Sequence, residues 1–216
     1  MMGNPFDLYI FDLDGTLLDT LTDLHLCING ALEQMELPVL PRHVVQEAIG
    51  PSAEAFGRVT LGGENLHRLS ELLERFRVLY YQRCLDHTRP FPGIPSVLER
   101  LDSSTRAIAT NKPLRGTRHI LDALGLSHHF DTVIGPETVE RVKPHPDMIL
   151  YALDRAGVEA GRTLMIGDTE NDLQAAAAAG VWSCLVEWGY SLQTDKLRES
   201  ADFVISTPEQ LLELNP

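Results

Sequence analysis

The run Leu8-Tyr9-Ile10-Phe11-Asp12-Leu13-Asp14-Gly15-Thr16 joins four apolar residues to two carboxylates and a turn-forming glycine. A short apolar run of this composition, ended by turn formers, predicts a buried strand. The acids follow it directly. In a parallel sheet, ligands gather beyond the carboxyl ends of the strands, so that arrangement would set Asp12 and Asp14 on a binding edge. Taken alone, Asp-x-Asp-Gly reads first as a plain turn carrying incidental acids. A calcium-binding loop fits worse, because its twelfth position is Asp23 and not Glu, and a helix should precede it.

Outward from that run, further strands are predicted at residues 106–110, 132–134, 163–166, 184–187 and 203–205. Helical patterns over 113–124 and 146–156 carry Pro just inside the start and Gly125 or Gly157 just past the end. This alternation predicts βαβ units and a parallel sheet. A last helix is expected after Thr207, with Pro208 in its first turn and Gln210 completing a capping box. Between the first and second strands the rhythm breaks. Helices are predicted near 19–35, 42–49, 53–61 and 64–86, with no convincing strand among them. The fold class is therefore α/β with an inserted all-helical unit: residues 1–18 and 89–216 form the core and 19–88 the insert. Arg89-Pro90-Phe91-Pro92-Gly93 supplies a rigid, turn-rich return to the sheet.

The 216 residues are 44% hydrophobic and 23% charged, as in globular proteins and unlike disordered chains. A net charge of -13 disfavours nucleic acid or an anionic membrane as partner. No run approaches about eighteen apolar residues, and the opening Met-Met-Gly-Asn-Pro-Phe-Asp has no basic start leading into an apolar stretch. Neither a span nor a secretory signal is expected, and the cytoplasm is the expected compartment. Cys27, Cys84 and Cys184 are widely spaced with no Cys-x-x-Cys pair, which predicts buried thiols.

Three more segments end a predicted strand or open a predicted helix: Ala109-Thr110-Asn111-Lys112, Val142-Lys143-Pro144-His145-Pro146, and Met165-Ile166-Gly167-Asp168-Thr169-Glu170-Asn171-Asp172. A parallel sheet would bring them to the edge that holds Asp12 and Asp14. Lys143 precedes a proline-started helix, near the backbone N–H groups that favour anions. The chain has only three lysines, Lys112, Lys143 and Lys196, and two of them fall in these loops. Asp12, Asp14, Asp168 and Asp172 together would be a cluster of like charges that needs compensation. Lys143 and a hard divalent cation would supply it, and all-oxygen ligands of this kind suit Mg²⁺.

In order and spacing, these four segments resemble the four motifs of the haloacid dehalogenase superfamily of phosphotransferases, over nearly the whole chain. Asp12-Leu-Asp-Gly-Thr-Leu-Leu-Asp-Thr, Thr110-Asn-Lys-Pro, Lys143-Pro-His-Pro, Gly167-Asp-Thr-x-Asn-Asp and Trp188-Gly189-Tyr190 are most similar to its phosphoglycolate phosphatase branch. The resemblance implies a Rossmann-like core with a helical cap, and Mg²⁺-dependent hydrolysis of 2-phosphoglycolate or a similar small phosphate ester. It implies Asp12 as the nucleophile that forms an aspartyl-phosphate, and Asp14 as general acid and base. Thr110, the Asn111 backbone and Lys143 would hold the phosphoryl oxygens. Asp12, the Asp14 carbonyl and Asp168 would bind Mg²⁺, with Asp172 just behind them. From the insert, Gly50 of Gly50-Pro51-Ser52 and Arg58 are candidate substrate contacts, although Arg58 reads as readily as part of a solvated helix face.

Asp14 argues against a dehalogenase, which lacks the second acid. A phosphonate hydrolase of this cap type needs a lysine in the insert, and residues 19–90 contain none. Nucleotidase, pyrophosphatase and phosphosugar mutase activities keep the same motifs and stay open, as does a non-catalytic phosphate-binding role. The expected partner is a small phosphorylated metabolite, with the protein acting as a monomer or homodimer.

Overall fold

The computed structural model describes residues 5–50, 52–101, 104–192 and 194–215. Residues 1–4 and the candidate-loop residue Pro51 lie outside the described residues.

Strand β1 (Leu8–Phe11) is buried along its whole length. After it come the two-residue β2 (Leu18–Asp19), then α1 (Leu21–Gln34), α2 (Arg42–Glu47), α3 (Ala53–Leu61), α4 (Leu69–Arg83) and the two-residue β3 (Arg89–Pro90). The chain continues through α5 (Ile94–Arg100), β4 (Thr105–Ala109), α6 (Leu114–Ala123), β5 (Thr132–Ile134), α7 (Asp147–Ala156) and β6 (Thr163–Gly167). It finishes with α8 (Glu170–Ala179), β7 (Trp182–Val186), α9 (Thr194–Arg198), β8 (Phe203–Ile205) and a 3₁₀ helix over Pro208–Glu213.

Six strands form one parallel sheet in the order β5-β4-β1-β6-β7-β8. Chain order reverses at β1, where Phe11 lies between Ile108 of β4 and Ile166 of β6. Alternate β1 residues feed opposite faces, as the period of two requires. Tyr9 and Phe11 pack with Val97, Leu98 and Ile120, while Leu8 and Ile10 pack with Met148, Ile149 and Ala175. Burial on both faces explains why β1 reads as a continuous apolar run.

Several expectations need correcting. β4 starts one residue early and leaves Thr110 outside it, and β7 starts at Trp182 instead of Cys184. Pro113 and Pro146 occupy the N-cap positions of α6 and α7, one place before the first helical residue. The final segment does carry the Thr207–Gln210 capping box, but it winds as a 3₁₀ helix. The insert is also not wholly helical at its base, because β2 and β3 pair antiparallel there, Leu18 against Pro90 and Asp19 against Arg89. Two residues are too few to show a period of two, and Pro90 withholds a ladder donor, so no local pattern marks this pair.

The predicted helix at 64–86 is a 3₁₀ turn, Leu66–Arg68, running into α4. Together with α1 and α3 it builds a separate apolar cluster around Ile28, Leu32, Phe56 and Leu72. All three cysteines are buried and free. Among the described residues no helix is long and apolar enough to cross a membrane.

Candidate active site

The carboxyl ends of β1 and β6 set the geometry. The Asp12 N–H donates to the Ile166 carbonyl at 2.9 Å, which extends the parallel ladder one residue past β1 and fixes the buried Asp12 at the sheet edge. Next to it, Asp168 follows β6 and is 1% exposed. Its Oδ1 accepts from the Thr16 hydroxyl at 3.0 Å and its Oδ2 from the Tyr190 N–H at 2.7 Å. The backbone approaches so closely here that a Cβ on Gly15 would lie 2.4 Å from Asp168 Oδ2, and one on Gly189 would lie 2.2 Å from Asp168 Cβ. Gly15 also has φ +91°, a conformation that side chains resist.

Asp172 caps the start of α8. Its Oδ2 accepts from the Thr169 N–H at 3.0 Å and the Thr169 hydroxyl at 2.7 Å. Its other oxygen accepts from Lys143 Nζ at 2.6 Å, and the same ammonium lies 2.8 Å from Asp12 Oδ1. Lys143 therefore bridges two carboxylates. The Asn111 side chain holds it in place: Asn111 Oδ1 accepts from the Lys143 N–H at 3.1 Å, and Nδ2 donates to the carbonyls of Lys143 at 2.9 Å and Gly50 at 2.8 Å. One amide thus ties the β4 loop to the Lys143 loop and to the insert.

Carboxylate oxygens of Asp12, Asp168 and Asp172 lie within 4.8 Å of one another, all buried. Burial pushes the Asp12 carboxyl up to about 7, with Asp172 adding to the rise and Lys143 opposing it. Burial and the two neighbouring acids likewise hold Asp168 well above the usual carboxylate range. Lys143 moves up as well, because Asp12 and Asp172 outweigh the cost of burying its charge. Three acids facing one ammonium leave an excess of negative charge, and their donors are all hard oxygens. Such a set can hold a divalent cation.

Asp14 stands apart from this triad. Both its oxygens accept from Lys112 Nζ at 2.9 Å, and that ammonium also lies 4.7 Å over the Tyr80 ring of α4. In the sequence Lys112 stands out as one of only three lysines and as part of the Thr110-Asn-Lys-Pro segment, neither of which points to Asp14 as its partner. Its partner is set by the meeting of two loops distant in the chain, and no local pattern marks it.

A cavity of about 170 Å³ separates the sheet edge from the insert. Asp12, Asp14, Thr110 and Asn111 line the core side, and Gly50 and Phe56 are among the insert residues that face them. The structure thus gathers Gly50 with the core motif residues, and Lys143, Asp168 and Asp172 adjoin through Asp12. Arg58 is not brought in. It pairs with Glu54 at 2.7 Å with its side chain 54% exposed, because α3 buries Phe56, Gly57, Thr60 and Leu61 on its other face. The arginine that does line the cavity is Arg77 of α4, which the sequence reading missed.

A family model of haloacid dehalogenase-like hydrolases matches residues 9–186. The phosphoglycolate phosphatase of Haemophilus influenzae (strain 86-028NP) is 32% identical over 225 residues, which covers 98% of this chain and 99% of that protein. The phosphoglycolate phosphatase of Aquifex aeolicus is 33% identical over 207 residues, 95% of this chain and 94% of its own. Among solved structures, a predicted phosphoglycolate phosphatase from Haemophilus somnus 129PT superposes with a TM-score of 0.91 at 28% identity, over 99% of both chains.

Proposed function

Because the chain belongs to the haloacid dehalogenase-like hydrolases, we propose that it is a Mg²⁺-dependent phosphomonoester hydrolase that works through an aspartyl-phosphate on Asp12. Its substrate is 2-phosphoglycolate, the ester named for its relatives, or a similarly small phosphorylated metabolite. The observation that carries this reading is the position of Asp12, which both lines the cavity and belongs to the buried acidic triad.

An Asp12 carboxylate oxygen attacks phosphorus, and the bond from phosphorus to the ester oxygen breaks in line with it. Asp14 protonates the departing alkoxide. In the second step Asp14 takes a proton from water, whose oxygen attacks the phosphorus of the aspartyl-phosphate and frees inorganic phosphate and Asp12. Lys112 Nζ, 2.9 Å from both Asp14 oxygens, orients that side chain for these transfers. Lys143 and the Thr110 hydroxyl hold phosphoryl oxygens. Asp12, the Asp14 carbonyl and Asp168 would hold Mg²⁺, with Asp172 behind them, and the bound ion would supply the positive charge that lets an anionic phosphate approach these acids.

Residues 19–88 act as a cap on the core formed by 1–18 and 89–216, excluding water from the cavity. The reading places the protein in the cytoplasm as a monomer or homodimer, and a net charge of -13 supports a role apart from nucleic acid and anionic membrane surfaces.

The test combines phosphate release from 2-phosphoglycolate with acid quenching of ³²P-labelled substrate. Expected outcomes are loss of turnover on exhaustive chelation, its recovery with Mg²⁺, and label retained on Asp12. Asp12→Asn should stay folded, hold no label and lose roughly 10³-fold or more in turnover. Full turnover after chelation, or near-normal turnover by a folded Asp12→Asn protein, contradicts the reading.

A further inference from the structure

We propose that Arg77 is the specificity-determining residue of the site, selecting phosphate esters whose leaving alcohol carries a carboxylate, that is, short phosphorylated hydroxy acids. This rests on the phosphomonoesterase reading and adds to it the group that recognises the end of the ester that is not transferred.

Five of the six arginines in residues 19–88 are already engaged. Arg42 donates to Thr22, Arg58 pairs with Glu54, Arg68 and Arg75 both pair with Glu71, and Arg83 pairs with Asp86. Arg77 makes no hydrogen bond or ion pair among the described residues, and it is the one of the six that lines the cavity. The other cations near the cavity are committed, Lys112 to both oxygens of Asp14 and Lys143 to Asp12 and Asp172. The insert wall therefore presents a single unspent positive charge.

Its setting is otherwise apolar. Leu73, Phe76, Arg77 and Tyr80 follow the spacing i, i+3, i+4, i+7, so they form one stripe of α4, and all four line the cavity. The Phe76 ring lies 5.7 Å from Phe56 and 5.3 Å from Tyr80, which makes this wall a continuous aromatic surface. With the phosphoryl group at Asp12, the carbon part of the ester meets that surface and the far end meets Arg77. A neutral alcohol would leave the guanidinium unused, whereas a carboxylate takes two parallel hydrogen bonds from it.

The experiment compares kcat/KM for 2-phosphoglycolate with that for 2-hydroxyethyl phosphate, which replaces the carboxylate by an alcohol at nearly the same size. The wild-type protein should prefer phosphoglycolate by at least tenfold. In Arg77→Gln that ratio should fall at least tenfold, mostly through KM, and Arg77→Lys should restore part of it. Arg75→Gln, which removes an equal charge already paired on the same helix, should leave the ratio as it was. A merely structural role for Arg77 would lower both rates and keep the ratio, and that result overturns the proposal. So does a ratio that changes in Arg58→Gln and not in Arg77→Gln. Turnover of neither ester by the Mg²⁺-loaded protein would overturn the phosphatase reading itself, an outcome distinct from an unchanged ratio with both esters hydrolysed.

Discussion

Lys143 reaches Asp12 and Asp172, yet Asp168 meets only a hydroxyl and a backbone N–H among the described residues. That imbalance has a consequence for stability. A carboxyl raised by burial favours its protonated form in the folded state, so its contribution is complete below the unfolded value near pH 4 and is lost as pH rises through the folded value. For Asp12 the loss runs up to about 7. In the presence of chelator, the melting temperature should therefore fall between about pH 5.5 and about pH 8 as these acids ionise without compensation. Mg²⁺ binds the ionised form, so it should raise the melting temperature more at the higher pH. An equal Mg²⁺ shift at both pH values, read by scanning calorimetry, would count against the triad as the ion's site. Asp12, Asp14, Lys143 and Asp168 were legible because each follows or precedes a recognisable element. Arg77 was not, since Arg68, Arg75 and Arg83 share its helical context and only the partners supplied by the fold set it apart.

At the level of elements, legibility followed burial. β1 and β6 stood out because both their faces are covered, and α7 because Gly157 closes it in the left-handed conformation. The β2–β3 pair and the 3₁₀ turns did not, being shorter than any period that could reveal them. α4 combines both cases: a helix in this stretch was evident though not its start at Leu69, and the face that packs on α1 and the face that lines the cavity are separated by a rotation that composition does not show. Leu72 marks the packed face, 0% exposed within the cluster of α1 and α3. Leu72→Ala should cost roughly 2–5 kcal/mol through lost contacts and the cavity left behind. Denaturant unfolding with unchanged m-value checks this, and a cost under about 1 kcal/mol would mean that α4 is not anchored through this residue.

Across the whole molecule, the three buried thiols report on which parts open together. Burial raises all three, Cys27 to about 12, so none is a ready nucleophile in the closed protein. Cys27 lies on α1 and Cys84 directly follows α4, while Cys184 sits within β7, hydrogen-bonded between β6 and β8 of the sheet. Thiol labelling followed by peptide mass spectrometry should modify Cys27 and Cys84 well before Cys184, because helices opening away from the sheet cost less than the sheet itself. Equal labelling rates at all three would mean that insert and sheet unfold as one unit. The β2–β3 pair adds a different consequence. The chain enters the insert through Leu18 and Asp19 and returns through Arg89 and Pro90, paired side by side. A detour whose two ends touch can be lengthened, shortened or exchanged without shifting the strand register beneath it. Asp12, Asp14, Asp168 and Asp172 lie outside that detour and Arg77 within it, so under the proposed roles chemistry and taste would be written in separable stretches of one chain, and new substrates could be acquired by trading the detour alone.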